Sequence, residues 1–173
     1  MKNNDDFSGP PIGSQLSAII PTLNEAGNLG SCLRVIASTV GELIVVDGGS
    51  SDNTASVASR YNARWLTAKR GRGSQLAAGG AAATGEWLLF IHADTVLQSS
   101  WELSVHEFIN EVREYNVAGV FRYRNDLHGL AGRVLERYVA WRTSLGLPYG
   151  DQCLLISRSH YHRLGGFSDF PIM

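Results

Sequence analysis

Only two cysteines occur in the 173 residues, Cys32 and Cys153, and neither belongs to a C-x-x-C pair. A disulfide scaffold and a thiolate zinc site are therefore excluded as organising devices. No run reaches the roughly 20 apolar residues that a membrane span requires. The first thirteen residues carry Asp5, Asp6, Pro10 and Pro11 where a secretory leader would need an apolar stretch. An excess of one charge is also lacking. Fifteen Lys+Arg against sixteen Asp+Glu leave a net charge of −1, which gives no electrostatic reason to expect a nucleic-acid partner. Internal repeats are absent, and the segment Leu76–Gly85 alone is low in complexity. The expected product is soluble, reduced and cytoplasmic.

What remains is an ordinary globular composition, 44% hydrophobic and 18% charged, in a chain long enough to bury a core without staples. Residues 1–15 read as a flexible tail and 16–173 as one domain. Apolar runs at Leu16–Ile20, Glu42–Val46, Ala63–Leu66, Trp87–Ile91, Val117–Tyr123 and Gln152–Ile156 predict strands. Pro21 is expected to stop the first of them. Thr22 and Glu25 have capping-box spacing, and Asn24 is an alternative cap, before a helix with Leu29, Leu33 and Ile36 on one face. Asp52 can cap a second helix through Val57 to Tyr61. A small-residue helix ends at Gly85, and further helices are expected over Trp101–Arg113, Leu127–Leu145 and the residues before Leu164. Strands alternating with helices predict a mostly parallel α/β sheet covered on both faces.

Ligands of such sheets bind outside the carboxyl ends of the strands. Those ends read Pro21-Thr22-Leu23-Asn24-Glu25, Asp47-Gly48-Gly49-Ser50 and His92-Ala93-Asp94. Asp47 can accept hydrogen bonds from a ligand, or it can simply build a turn with the two glycines. Lys69, Arg70 and Arg72 make a cationic loop suited to a diphosphate, or a solvated turn. The loop is no dinucleotide fingerprint, because Leu76 stands where the third glycine would fall. This argues against a nicotinamide-dependent oxidoreductase. His92 and Asp94 stand two apart and point to the same side. Asp94 suits Mg²⁺ or Mn²⁺, which take oxygen ligands and phosphate, while His92 reads better as a hydrogen-bonded core residue. Leu127, Leu130, Val134, Tyr138, Trp141 and Leu145 form a helical stripe beside Arg133, Arg137 and Arg142. Such a stripe normally packs against its own domain, the alternative being a membrane interface. Asp151 and Gln152 close a turn-rich loop expected to face the same edge, the alternative being a plain polar hairpin or strand-entry turn.

Taken in order, these segments resemble the nucleotide-sugar-binding half of a family-2 glycosyltransferase with the GT-A fold, a Rossmann-like sheet. The resemblance rests on Ile19–Glu25, Ile44–Asp52, Gly71-Arg72-Gly73 and Phe90–Thr95. Leu147–Gln152 and Leu164-Gly165-Gly166-Phe167 look like the bacterial subgroup named for arsenosugar biosynthesis. The resemblance implies that Pro21, Thr22, Asn24, Glu25 and Gly49 border the nucleotide and that Asp47 reads the base or ribose. It gives Arg72 to the base or diphosphate, His92 and Asp94 to the D-x-D position, Asp94 to the metal, and Asp151 and Gln152 to the acceptor side. A nucleotide-sugar donor, a divalent cation (Mn²⁺ or Mg²⁺) and a small or lipid-linked acceptor are implied, with peripheral contact to the inner membrane face. His92 departs from the first acid of D-x-D, and Ala77 stands where relatives tend to carry Asn. In relatives the general base comes from a Glu-Asp pair just past the position of Met173, so the resemblance implies a domain incomplete at its C-terminus that binds donor but transfers sugar poorly. Asp151 is the one catalytic acid this sequence itself offers. A non-catalytic nucleotide-sugar-binding fragment is the alternative.

Overall fold

All six apolar runs become strands of a single sheet in the computed structural model, which describes residues 12–112, 116–125, 129–147 and 152–168. The strands are β1 (Leu16–Thr22), β2 (Glu42–Asp47), β3 (Arg64–Thr67), β4 (Trp87–Phe90), β5 (Ala118–Val120) and β6 (Leu154–Ser157). Their order is β3-β2-β1-β4-β6-β5. The first four are parallel, and β6 runs antiparallel to both β4 and β5. The chain winds outward from β1 to β3 and then crosses to β4 on the other side of β1. The carboxyl ends of β1 and β4 therefore form a topological switch point, where such sheets open a crevice.

Period-two alternation assigns the faces. Leu16, Ala18 and Ile20 of β1 share one core with Val45, Trp87, Leu89 and Leu155, while Ile19, Ile44, Val46, Leu88 and Phe90 belong to the opposite core. The first face is covered by α1 (Leu29–Ile36), α2 (Thr54–Ser59) and α4 (Trp101–Glu111), the second by α3 (Arg72–Ala82) and α6 (Arg158–Arg163). Helices thus lie on both faces, as expected. In α1 the buried residues Leu29, Cys32, Leu33 and Ile36 follow the 3.6-residue period.

Several local expectations are corrected. β1 continues through Pro21, which is paired with Val46. Ile19 accepts from the Ile91 amide on the β4 side, so the nitrogen of Pro21, two residues on, faces the same way. β4 has already left the sheet there, and no ladder hydrogen bond is lost. α1 starts at Leu29 rather than near Asn24, because amides 24–26 bond to the β2 exit loop. Residues Ile12–Gln15 form a 3₁₀ turn against Thr39–Gly41, where a Cβ on Gly13 would strike the Thr39 carbonyl. β5 is three residues long; the Phe121 amide still donates to the Cys153 carbonyl (3.2 Å), and 122–125 carry no strand assignment. The helix expected from Leu127 is α5 (Leu130–Ser144); Leu127 itself lies outside the described residues.

The small-residue segment has a packing reason. A Cβ on Gly79 would collide with Ile19 Cγ2 and approach Val46 Cγ2 at 2.9 Å, and one on Gly80 would meet the Tyr161 ring at 2.6 Å. The absent side chains let α3 settle directly on β1 and β2. This offsets the poor helix propensity of glycine. At the opposite end of the sheet, Glu42 Oε2 accepts from Ser17 Oγ (2.6 Å) and the Thr84 amide (2.8 Å), while Oε1 accepts from Arg64 Nη1 (3.1 Å). Partial burial opposes its charged form, but these hydrogen bonds prevail and hold Glu42 below its ordinary range.

Two outcomes are expected. Gly79→Val should lower the unfolding free energy by about 2–3 kcal/mol through overpacking, whereas Gly27→Ala, at an open position, should change it by less than about 0.5 kcal/mol. Urea denaturation separates them. Because the folded-state acid is the stronger one, the Glu42 contribution is complete above its unfolded pKa and disappears as pH falls through the lowered value. Glu42→Gln should therefore cost about 1 kcal/mol at neutral pH, a small figure because Arg64 is half exposed. The gap to the parent should narrow in acid, and a gap constant with pH would contradict this.

Candidate functional site

The exits of β1 and β2 are stapled to each other before any ligand is considered. Asn24 takes a left-handed conformation (φ 57°), which asparagine tolerates better than most residues. Its amide donates to Ser50 Oγ (2.8 Å), and its Oδ1 accepts from the Ser51 amide (2.8 Å). The Glu25 amide donates to Thr54 Oγ1 (2.9 Å) and the Ala26 amide to Asp52 Oδ2 (3.0 Å). Asp52 Oδ1 accepts from the Thr54 amide (3.0 Å) and hydroxyl, but it stands one residue ahead of the expected position, because the N-cap of α2 is Asn53. Led by the Thr54 hydroxyl, these bonds hold Asp52 below its ordinary range.

Asp47 is 3% exposed. Its Oδ2 accepts from the amides of Gly49 and Ser50, both at 2.8 Å, and its Oδ1 accepts from Ser50 Oγ and, at 3.4 Å, from Thr22 Oγ1. A carboxylate offers about four lone-pair positions; the exit loop engages three and Thr22 of β1 approaches the fourth. Gly49 has φ 99° with nothing near its Cβ position, so the turn needs glycine for its backbone conformation.

Gln75, from α3, closes the arrangement from below. Its Nε2 donates to the carbonyls of Thr22 (2.7 Å) and Val46 (2.8 Å), and its side chain packs on Gly48. Arg72, the first residue of the same helix, is exposed near this anchor. Sequence reasoning missed Gln75, because one glutamine among alanines and glycines carries no pattern. It also missed Thr54, and named Ser50 only as part of the β2 exit without a partner, although the polar run Gly49–Thr54 was a usable signal.

On the far side of the switch point, His92 is half-buried and Asp94 exposed. The His92 carbonyl accepts from the Thr95 amide (3.1 Å) and contacts the Cys32 thiol (3.6 Å). Burial pushes the Cys32 thiol up to about 12 and the Cys153 thiol up to about 11, which removes both as nucleophiles near neutral pH. Among the described residues no three of His, Cys, Asp and Glu converge as a metal cage.

Asp94 also lies on the wall of a cavity of about 790 Å³ between α4, β6 and the 119–125 segment. Trp101, Phe108 and Phe121 give it an apolar floor, and Arg122, Arg124 and Gln152 are polar members of the wall. Gln152 is buried, with Nε2 donating to the Phe121 carbonyl (2.8 Å) and Oε1 accepting from Thr143 Oγ1 (2.9 Å). The structure thus joins Thr22, Asn24, Glu25, Asp47 and Gly49 in one hydrogen-bonded edge, with Pro21 half-buried in β1 beneath it. Asp94 and Gln152 share the neighbouring cavity. Asp151 lies outside the described residues.

Comparison with known proteins agrees with this geometry. Residues 17–165 match the family described as Glycosyl transferase family 2. A PGL/p-HBAD biosynthesis glycosyltransferase of Mycobacterium bovis (strain BCG / Pasteur 1173P2) is 41% identical over 106 residues, covering 55% of this chain and 41% of that protein. The chain therefore spans less than half the length of the curated relatives it matches. Glucosyl-3-phosphoglycerate synthase from Mycobacterium tuberculosis, solved with Mg²⁺ and uridine-diphosphate, superposes with a TM-score of 0.60 at 25% identity, over 84% of this chain and 57% of that one. Mannosyltransferase PcManGT from Pyrobaculum calidifontis, in complex with GDP-Man and Mn²⁺, gives 0.66 at 21% identity over 89% and 47%. The fold is the GT-A arrangement.

The saturated carboxylate of Asp47 yields a direct test. Asp47→Asn replaces an acceptor of two amides with a group that has one oxygen and an N–H₂. It should lower the unfolding free energy by about 2 kcal/mol, the scale of a hydrogen bond to a charged group. Equilibrium denaturation measures this, and an unchanged midpoint would remove Asp47 from loop construction.

Proposed function

Because the chain belongs to glycosyl transferase family 2, we propose that it forms the nucleotide-sugar-binding part of an enzyme. That enzyme would move a sugar from a nucleoside-diphosphate donor to an acceptor hydroxyl with inversion. One observation carries the reading. The switch point sets an exposed carboxylate, Asp94, between a rigid pair of loops and a cavity large enough for a second substrate.

On this reading the nucleoside lies against the 21–25 and 47–50 loops. Pro21, Thr22, Asn24, Glu25 and Gly49 shape that surface, and Asp47 acts on the donor through the loop it holds. Arg72 offers a guanidinium to phosphate oxygens. Asp94, a lone exposed acid, fits a cation that takes most of its ligands from diphosphate and water. Bound there, Mg²⁺ or Mn²⁺ would neutralise charge on the leaving diphosphate. His92, half-buried at the head of the turn, positions Asp94 through its carbonyl bond to Thr95. The structural neighbour solved with Mg²⁺ and uridine-diphosphate supports the use of a divalent cation on this reading.

The acceptor enters the cavity beside Asp94, with Gln152 in its wall. The acceptor oxygen attacks the anomeric carbon as the bond to the diphosphate breaks, and the acceptor proton passes to a carboxylate. Asp151, next in sequence to Gln152, is proposed for that role. Within the family, the narrower subgroup named for arsenosugar biosynthesis rests on Leu147–Gln152 and Leu164–Phe167.

Titration of uridine- and guanosine-diphosphate with and without Mn²⁺, followed by calorimetry and thermal shift, tests the donor side. At least one nucleotide should bind more tightly with metal. Asp94→Ala should erase that metal-dependent gain, about tenfold or more in Kd, with unfolding of the free protein unchanged. Equal metal dependence in the variant would sink the role of Asp94, and binding of neither nucleotide would sink the reading.

A further inference from the structure

The apolar stripe of α5 faces outward. This reverses the expectation that it packs on its own domain. Leu130, Val134, Tyr138, Trp141 and Leu145 are 50–79% exposed, and Leu147 follows at 56%. The residues of α5 that are buried are Gly132 and Val139, on the opposite side. Six of the ten large exposed hydrophobics among the described residues therefore lie on one helix and its following turn. Scattered exposed side chains need no explanation, but a contiguous stripe does.

The charges around the stripe are ordered. Arg133 and Arg137 border one edge and Arg142 the other, with its guanidinium 5.9 Å from the Tyr138 ring centre. The single acid of the helix, Glu136, is turned inward, where its Oε1 accepts from the Asn125 amide (3.2 Å). Every charge on the outer face is thus positive in a chain whose net charge is −1. α5 is about 22 Å long by helical rise, and no helix among the described residues is long and apolar enough to cross a membrane.

We propose that the outer face of α5 is a membrane-interface surface, and that its occupant is the anionic headgroup layer of a lipid bilayer. An apolar stripe carrying Trp and Tyr, bordered by arginine on both edges, suits a helix lying in the plane of the interface. A second copy of the chain fits less well. Both edges carry arginine, so self-pairing would set like charges against each other. The cavity lies on the other side of α5, since Asn125 and Gln152 of its wall are bonded to the inward side of the helix through Glu136 and Thr143, which leaves the outer face free for the bilayer. The proposal goes beyond the transfer reading and stands without it, since nucleotide titration tests one and vesicle binding the other.

The experiment is co-sedimentation of the full chain with phosphatidylcholine vesicles, with and without phosphatidylglycerol, across a salt series. Binding should require phosphatidylglycerol and weaken with salt. The double variant Tyr138→Ser/Trp141→Ser should lower partitioning about tenfold or more with unchanged thermal unfolding. Arg133→Glu/Arg137→Glu should do the same and abolish the salt dependence. Failure to bind phosphatidylglycerol vesicles, or binding that neither variant alters, would overturn the proposal. So would a concentration-dependent dimer that Trp141→Ser dissociates without any vesicle binding.

Discussion

Two amides and two hydroxyls converge on the buried carboxylate of Asp47, and the shape of the ligand edge depends on that convergence. The charge sits at the end of β2, where the sheet stops supplying partners to the backbone. Without an acceptor there, the Gly49 and Ser50 amides would be left to solvent and the loop would have several conformations. With it, Ser50 is fixed, and Ser50 in turn receives the Asn24 amide. The β1 exit is thereby set by a residue it never adjoins in sequence.

The core reaches this edge through α3. The bare backbone of Gly79 lets the helix sit directly on Ile19 and Val46. That depth brings Gln75, one turn earlier, within reach of the Thr22 and Val46 carbonyls. A larger residue at 79 would lift the helix and draw Gln75 away from both. Packing on the second face and the geometry of the strand ends are thus one problem, solved by an absent side chain.

Much of the scaffold was legible from the chain. Strands β1, β2 and β4 are continuous apolar runs broken by polar turns, and such breaks mark the ends where ligands gather. The face of α1 followed from Leu29, Leu33 and Ile36. What escaped was long-range by nature. Nothing near Asn24 says that its side chain accepts from Ser51, 27 residues on, and nothing near Asp47 says that its lone pairs are occupied. The reversal of β6 could not be read from its composition, which suits either direction. In α5 the stripe itself was visible. Which side of the helix would face the protein was not, because the buried residues are Gly132 and Val139 rather than a row of large apolar side chains.

The staple between the β1 and β2 exits has a consequence for the kinetics of recognition. Its backbone is ordered by bonds internal to the protein, so the conformational entropy of those loops is lost on folding rather than on binding. A ligand meeting that side encounters a finished surface, and association there needs no slow rearrangement. The turn after β4 is tied instead through thiols, Cys32 on the His92 carbonyl and Cys153 on Thr95 and His92, and thiols are weak hydrogen-bonding groups. Motion on binding should therefore concentrate at Asp94 and along the cavity wall, leaving the Asp47 loop as the fixed jaw against which the other side closes.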